Sequence, residues 1–158
     1  MDLVKAIEVS EKNYLHLLEY FFAGEWKDTF LPSHDIDHHR RVWKYACELM
    51  ASGPPSDPAA LSDMVSKTLI ACYLHDCGMS VNQGPEHGFH SRILAEKFFR
   101  LNNIPESFFS DILPVIENHD KKDYNTDNNP FPTASVLAVA DDLMPSASQV
   151  YTDILRFI

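Results

Sequence analysis

Apolar residues recur along this chain with the spacing of one face of an α-helix, not the alternation of a half-buried strand. Val4, Ile7, Leu15, Leu18 and Phe22 predict a first amphipathic helix that ends near Gly24. Pro32-Ser33 opens a second, with Val42, Ala46 and Leu49 as its core stripe, and Gly53-Pro54-Pro55 ends it. Leu61, Val65, Leu69 and Cys72 define a third, followed by Gly78 as terminator. Beyond a loop containing Gly84-Pro85, Ile93, Ala95, Phe98 and Phe99 carry a fourth helix to Asn102-Asn103. Pro105 begins a fifth, in which Phe108, Ile112, Ile116 and His119 share a face and Pro114 introduces a kink. The polar stretch from Asp120 to Pro132 reads as a loop, a sixth helix runs from about Thr133 through Val136, Val139 and Ala140 to Asp141-Asp142, and Val150 to Ile158 forms a seventh. Alternating runs bounded by tight-turn dipeptides are absent, so the expected fold is all-α, a bundle of about six or seven helices.

Length and composition narrow the picture. At 158 residues and 45% hydrophobic, the chain suits one domain with a substantial core, taken as residues 1–158. A formal charge of −10 disfavours nucleic-acid backbones and anionic membranes as partners, since both reward Lys/Arg surfaces. Cys47, Cys72 and Cys77 have no ligand-type spacing and sit in or beside apolar stretches, which reads as buried thiols in a reducing compartment. No apolar run approaches the roughly 20 residues of a membrane span, and the expected location is cytoplasmic.

The chemistry lies in the polar residues set on these helices. His75-Asp76 closes the apolar run Thr68 to Leu74, and His38, His87, His119 and Asp141 each lie on or beside a helical segment. Imidazole and carboxylate donors together suit divalent ions such as Zn, Mn or Fe. His34, His38 and Arg41 share one face of the second helix. Neither a Gly-rich phosphate loop nor a GxSxG elbow is present.

Five ordered contexts resemble the HD-domain superfamily of metal-dependent phosphohydrolases. His38-His-Arg-Arg41-Val42 is similar to its H-x-x-R-V helix, and Leu74-His75-Asp76-Cys77-Gly78 to its L-H-D-x-G signature. His87-Gly-Phe-His-Ser91-Arg-Ile-Leu-Ala95, Ile116-Glu-Asn-His119-Asp120 and Val139-Ala140-Asp141-Asp142-Leu143 resemble its third histidine, its later histidine and its closing A-D-x-L. The resemblance spans about residues 34–143 and implies an HD-like all-α bundle. It implies that His38, His75, Asp76 and Asp141 hold one metal ion, and that His87 and His119 extend the site to a second with Asp76 bridging. His90 is the alternative to His87 if the alignment shifts by three positions. Mn, Fe, Zn, Ni, Co and Mg are not distinguished, nor is one ion from two.

The activity implied is hydrolysis of a phosphomonoester or phosphodiester in a nucleotide or other small phosphorylated metabolite, with His75 and Asp76 as the catalytic pair. Many hydrolytic members have Lys after H-D-x-G, where this chain has Met79. Arg41, Lys121, Lys122 or Arg92 could supply the missing cation, although Arg41 reads first as a structural ion-pair partner near the site and second as a phosphate contact. Met79 also keeps open a diiron oxygenase that cleaves a C–C or C–P bond, as in a few members with the same six ligands. A non-catalytic metal-binding regulatory module is the third reading. The apolar Phe157-Ile158 end suggests a homodimer contact.

Overall fold

Helix follows helix through the computed structural model, which describes residues 1–121 and 132–143 and contains no strand among them. The first predicted helix is α1 (Leu3–Ser10), running through a π-helical turn (Glu11–Leu15) directly into α2 (His16–Glu25). Its buried face passes through Ala6, Ser10, Leu18, Phe21 and Phe22. Val4 lies off that face and is exposed, contrary to the periodicity.

The second helix, α3 (Ile36–Ala51), begins later than Pro32-Ser33. Those two residues form a 3-10 turn (Pro32–His34), and Asp35 then breaks into extended backbone. Its carboxylate accepts from the His38 N–H at 3.1 Å, satisfying one of the donors that every helix start leaves without an internal partner. Asp57 caps α4 (Pro58–Leu74) in the same way, with Pro58 in the first turn where a missing N–H costs nothing.

Every residue of α4 from Met64 to Leu74 is buried, which makes this helix the axis of the bundle. Helices α1, α3 and α8 (Pro132–Leu143) pack on it. Buried hydroxyl pairs, Ser10 with Ser66 at 2.8 Å and Thr68 with Thr133 at 3.2 Å, fix α1 and α8 against it. On α8 the buried positions are Thr133, Leu137 and Ala140, whereas Val139 points outward.

A 3-10 turn (Cys77–Ser80) leads from α4 toward α5 (His87–Leu101), which stops at Asn103 in the left-handed conformation, φ 54°. The predicted fifth helix is instead two short ones, α6 (Glu106–Phe109) and α7 (Leu113–Glu117). Pro114 falls in the first turn of α7, so it starts a helix and does not kink one. Phe99 stacks on Phe109 at 3.9 Å and Phe21 meets Phe98 edge-on at 5.4 Å, joining these elements to the common core.

Two glycines permit the close packing around α5. A side chain at Gly78 would collide with the His87 carbonyl and the Ser91 N–H, and one at Gly88 with the Glu117 carbonyl of α7. The proposed seventh helix at 150–158, its Phe157-Ile158 contact and most of the loop from Asp120 to Pro132 lie outside the described residues. Among the described residues, no helix is long and apolar enough to cross a membrane. Cys72 and Cys77 are buried, Cys47 is half-buried, and all three are free thiols.

Candidate metal centre

The buried axis helix ends inside the protein, and this places the first donors. His75 is the C-cap of α4 and is wholly buried. Asp76 follows at the entry to the 3-10 turn with a side chain only 4% exposed. Around it stand His38 from the first turns of α3, His87 from the first residue of α5, His119 just past the end of α7, and Asp141 near the end of α8. Six side chains from five separate stretches of the chain thus meet.

They meet as two groups that share Asp76. His38, His75, Asp76 and Asp141 each offer a donor atom within 4.8 Å of the others, and so do Asp76, His87 and His119. The two carboxylate oxygens of Asp76 divide the work. Oδ2 lies 3.1 Å from His75 Nε2 and 3.5 Å from His38 Nε2. Oδ1 lies 2.8 Å from His119 Nε2 and 3.5 Å from His87 Nε2. Asp141 Oδ1 closes the first group at 3.4 Å from both His38 and His75.

Backbone hydrogen bonds decide which ring nitrogen faces the centre. His75, His87 and His119 each donate Nδ1–H to the carbonyl three residues back, Cys72 at 2.9 Å, Gly84 at 2.8 Å and Ile116 at 2.7 Å. A carbonyl can only accept, so Nδ1 carries the proton and Nε2 of each neutral ring turns a lone pair inward. The Nε2 atoms of His38 and His75 are buried without a hydrogen-bond partner. Those of His87 and His119 face each other at 3.2 Å, a contact that two lone pairs cannot make favourable. Converging lone pairs and carboxylates require positive charge between them, so the residues present fit a bound divalent cation.

Without an ion, protons fill that need. Burial works against charge on His75, yet the carboxylates of Asp76 and Asp141 hold it well above its ordinary range, and His38 is raised by the same pair. Burial likewise opposes ionisation of the two acids, but His75, His119 and His38 hold Asp76 well below the usual carboxylate range, and His38 with His75 do the same to Asp141.

The remaining histidines differ. His39 is buried against the rings of Phe22 and Trp26, donates Nδ1–H to the Asp35 carbonyl at 2.8 Å, and is pushed down to about 3 by burial, which keeps it neutral. His90 is half-buried beside Phe89 and belongs to neither donor group. His34 lies at the rim, its Nε2 3.9 Å from Asp76 Oδ2, and burial is the main cause of its lowered pKa.

Of the expected phosphate contacts, Arg41 is exposed on α3 three residues beyond His38, and Lys121 is exposed two residues beyond His119. Lys122 lies outside the described residues. Arg92 is committed elsewhere, to Glu117 at 3.1 Å and over the Phe89 ring. Met79 is half-buried against the core. The periodicity missed the three carbonyl partners, which no side-chain pattern encodes. It also missed Gly88, whose close approach to α7 brings His87 to His119.

An all-α fold with a buried His/Asp cluster able to hold metal defines a class of helical metal-binding proteins. The HD domain family model matches residues 35–145, more than half of the chain, and the chain belongs to that family. No curated protein and no solved structure matches it.

Proposed function

We propose that this protein is a phosphohydrolase, a phosphatase or phosphodiesterase, that acts on a nucleotide or another small phosphorylated metabolite with one divalent ion in each donor group. The observation that carries this reading is the division of Asp76, whose Oδ2 and Oδ1 face different sets of imidazoles. Ions held there would supply Lewis acidity toward phosphoryl oxygens and make water acidic enough to attack near neutral pH.

The chain's own residues do the rest. His75 at 0% and Asp76 at 4% exposure seal the floor against bulk water, while Asp141 at 18% and His34 at 32% mark the side open to substrate. His75 would act by holding an ion, and Asp76, common to both groups, would be the base at hand for a proton released by water. Arg41 and Lys121, with Lys122, are the cations proposed to meet the phosphate from outside the donor shell. The overall charge of −10 makes these few cations and the ions the natural landing point for an anion.

The test is elemental analysis of protein purified without added metal or chelator, beside a His75→Ala/Asp76→Ala control, followed by a screen of phosphomonoesters and phosphodiesters with the metal-loaded protein. Metal present in the first protein, lost from the control, and accompanied by release of phosphate or a nucleotide product supports the reading. Near two equivalents of iron with oxygen uptake and no hydrolysis would move the assignment to an oxygenase. Absence of metal after reconstitution would remove both activities.

A further inference from the structure

His34 belongs to neither donor group, yet its ring is turned to the centre. It sits in the 3-10 turn Pro32–His34, one turn before His38, with the two ring centroids 5.2 Å apart. Its Nε2 is 3.9 Å from Asp76 Oδ2, too far for a direct hydrogen bond and far enough for an oxygen atom to lie between or beside them. Its exposure separates it from the donors. The His34 side chain is 32% exposed, against 9% for His38, 0% for His75, 11% for His87 and 3% for His119. The structure therefore holds one imidazole at the open rim, aimed at the shared carboxylate and in reach of a bound molecule.

Ser33 makes that imidazole directional. Its hydroxyl lies 2.8 Å from His34 Nδ1. When the hydroxyl donates, Nδ1 is the acceptor, and Nε2 must then carry the ring proton. A hydroxyl, unlike a backbone carbonyl, can donate as well as accept, and with Ser33 donating the ring is the reverse of His75, His87 and His119, where Nδ1 carries the proton and Nε2 is a lone pair. The three deep rings present lone pairs to a cation, whereas the rim ring, with Ser33 donating, presents an N–H.

We propose that His34, oriented by Ser33, is a substrate-contacting residue that donates Nε2–H to a phosphoryl oxygen bound beside Asp76. This rests on the phosphohydrolase reading above and adds to it a residue that recognises the phosphate without holding metal. An N–H donated to an anionic oxygen is a charge-assisted hydrogen bond, and its loss weakens binding by about tenfold. His34→Gln keeps an N–H at the end of the side chain, whereas His34→Ala removes it.

The experiment uses the full chain loaded with manganese and inorganic phosphate as the probe. Phosphate affinity is measured by titration calorimetry and metal content by elemental analysis, for the parent protein and for His34→Ala, His34→Gln and Ser33→Ala. The expected result is unchanged metal content in all four, phosphate affinity about tenfold weaker in His34→Ala, a smaller loss in Ser33→Ala, and substantial recovery in His34→Gln. Equal phosphate affinity in His34→Ala and the parent would overturn the proposal while leaving the phosphohydrolase reading intact. Loss of metal from His34→Ala would overturn it differently, by making His34 a ligand. Failure of the metal-loaded parent itself to bind phosphate would remove the phosphohydrolase reading and this residue's role with it.

Discussion

The two halves of the metal centre use the same kinds of side chain but are built differently. Three donors of the four-donor half stand on long helices: His38 in the first turns of α3, His75 at the end of the buried axis helix, and Asp141 on α8. The other half rests on His87 at the first residue of α5 and His119 in the turn after the five-residue α7. One side chain, Asp76, belongs to both. A carboxylate with one oxygen on each side couples a site of four donors to a site of three. The four-donor half is therefore expected to hold its ion more firmly, and the three-donor half to exchange it and leave room for substrate oxygens.

Removing the shared charge tests the coupling most severely. Asp76→Asn keeps the shape of the side chain but deprives both halves of their common anion. Metal content is expected to fall in both, and hydrolysis to drop by on the order of a thousandfold. Full metal retention by elemental analysis would show that the histidines and Asp141 suffice.

Single-histidine variants then separate the halves. His119→Ala is expected to keep about one equivalent of metal, held by the four-donor half, while His75→Ala keeps less. If the two proteins lose metal equally, the ranking of the halves is wrong. Gly88→Ala reaches the three-donor half without touching a donor. The new Cβ would collide with the Glu117 carbonyl, forcing α5 away from α7 and His87 away from His119. A destabilisation of about 1–3 kcal/mol in denaturant unfolding and selective loss of one equivalent of metal are expected. A loss of stability with both equivalents retained would mean that the spacing of α5 and α7 does not govern this half.

This contrast also separates what the sequence discloses from what it conceals. His75-Asp76 stands out because a polar pair ends an otherwise apolar run, and a histidine or acid beside a periodic stripe is visible wherever the stripe is. The α4 pattern was legible because burial on all sides leaves an unbroken apolar run from Leu69 to Leu74. Helix starts were less so. Asp35, not Pro32, sets the start of α3, because its carboxylate reaches the His38 N–H and the choice between two nearby starts depends on that one hydrogen bond. Pro114 was ambiguous for a related reason: one residue type both breaks an old helix and begins a new one, and only the turn at Asp111-Ile112 shows which. Tautomers were not legible at all, since they depend on carbonyls that every residue carries.

The mildest test needs no substitution and reads the protons that stand in for the ion. In metal-free protein His75 is held well above 6.5, and His38 above it, by Asp76 and Asp141 against the effect of burial. A group raised on folding contributes stability that is complete below its unfolded value and fades as pH climbs through the folded value. Asp76 and Asp141 are held below 3.8 by the facing histidines, again against burial, so their contribution is complete above that value and is lost as pH falls. Both contributions are fully present only between about pH 4 and 6.5, where the metal-free protein is expected to reach its highest melting temperature. Metal reverses the dependence on the alkaline side, because an ion can bind only as the imidazoles give up their protons. The gain in melting temperature on adding metal should therefore grow as pH rises above about 6.5, in thermal scans at matched ionic strength. A gain that is flat across this range would mean that the imidazoles already face the centre unprotonated in the metal-free protein, and that the two carboxylates are compensated by something other than His38 and His75.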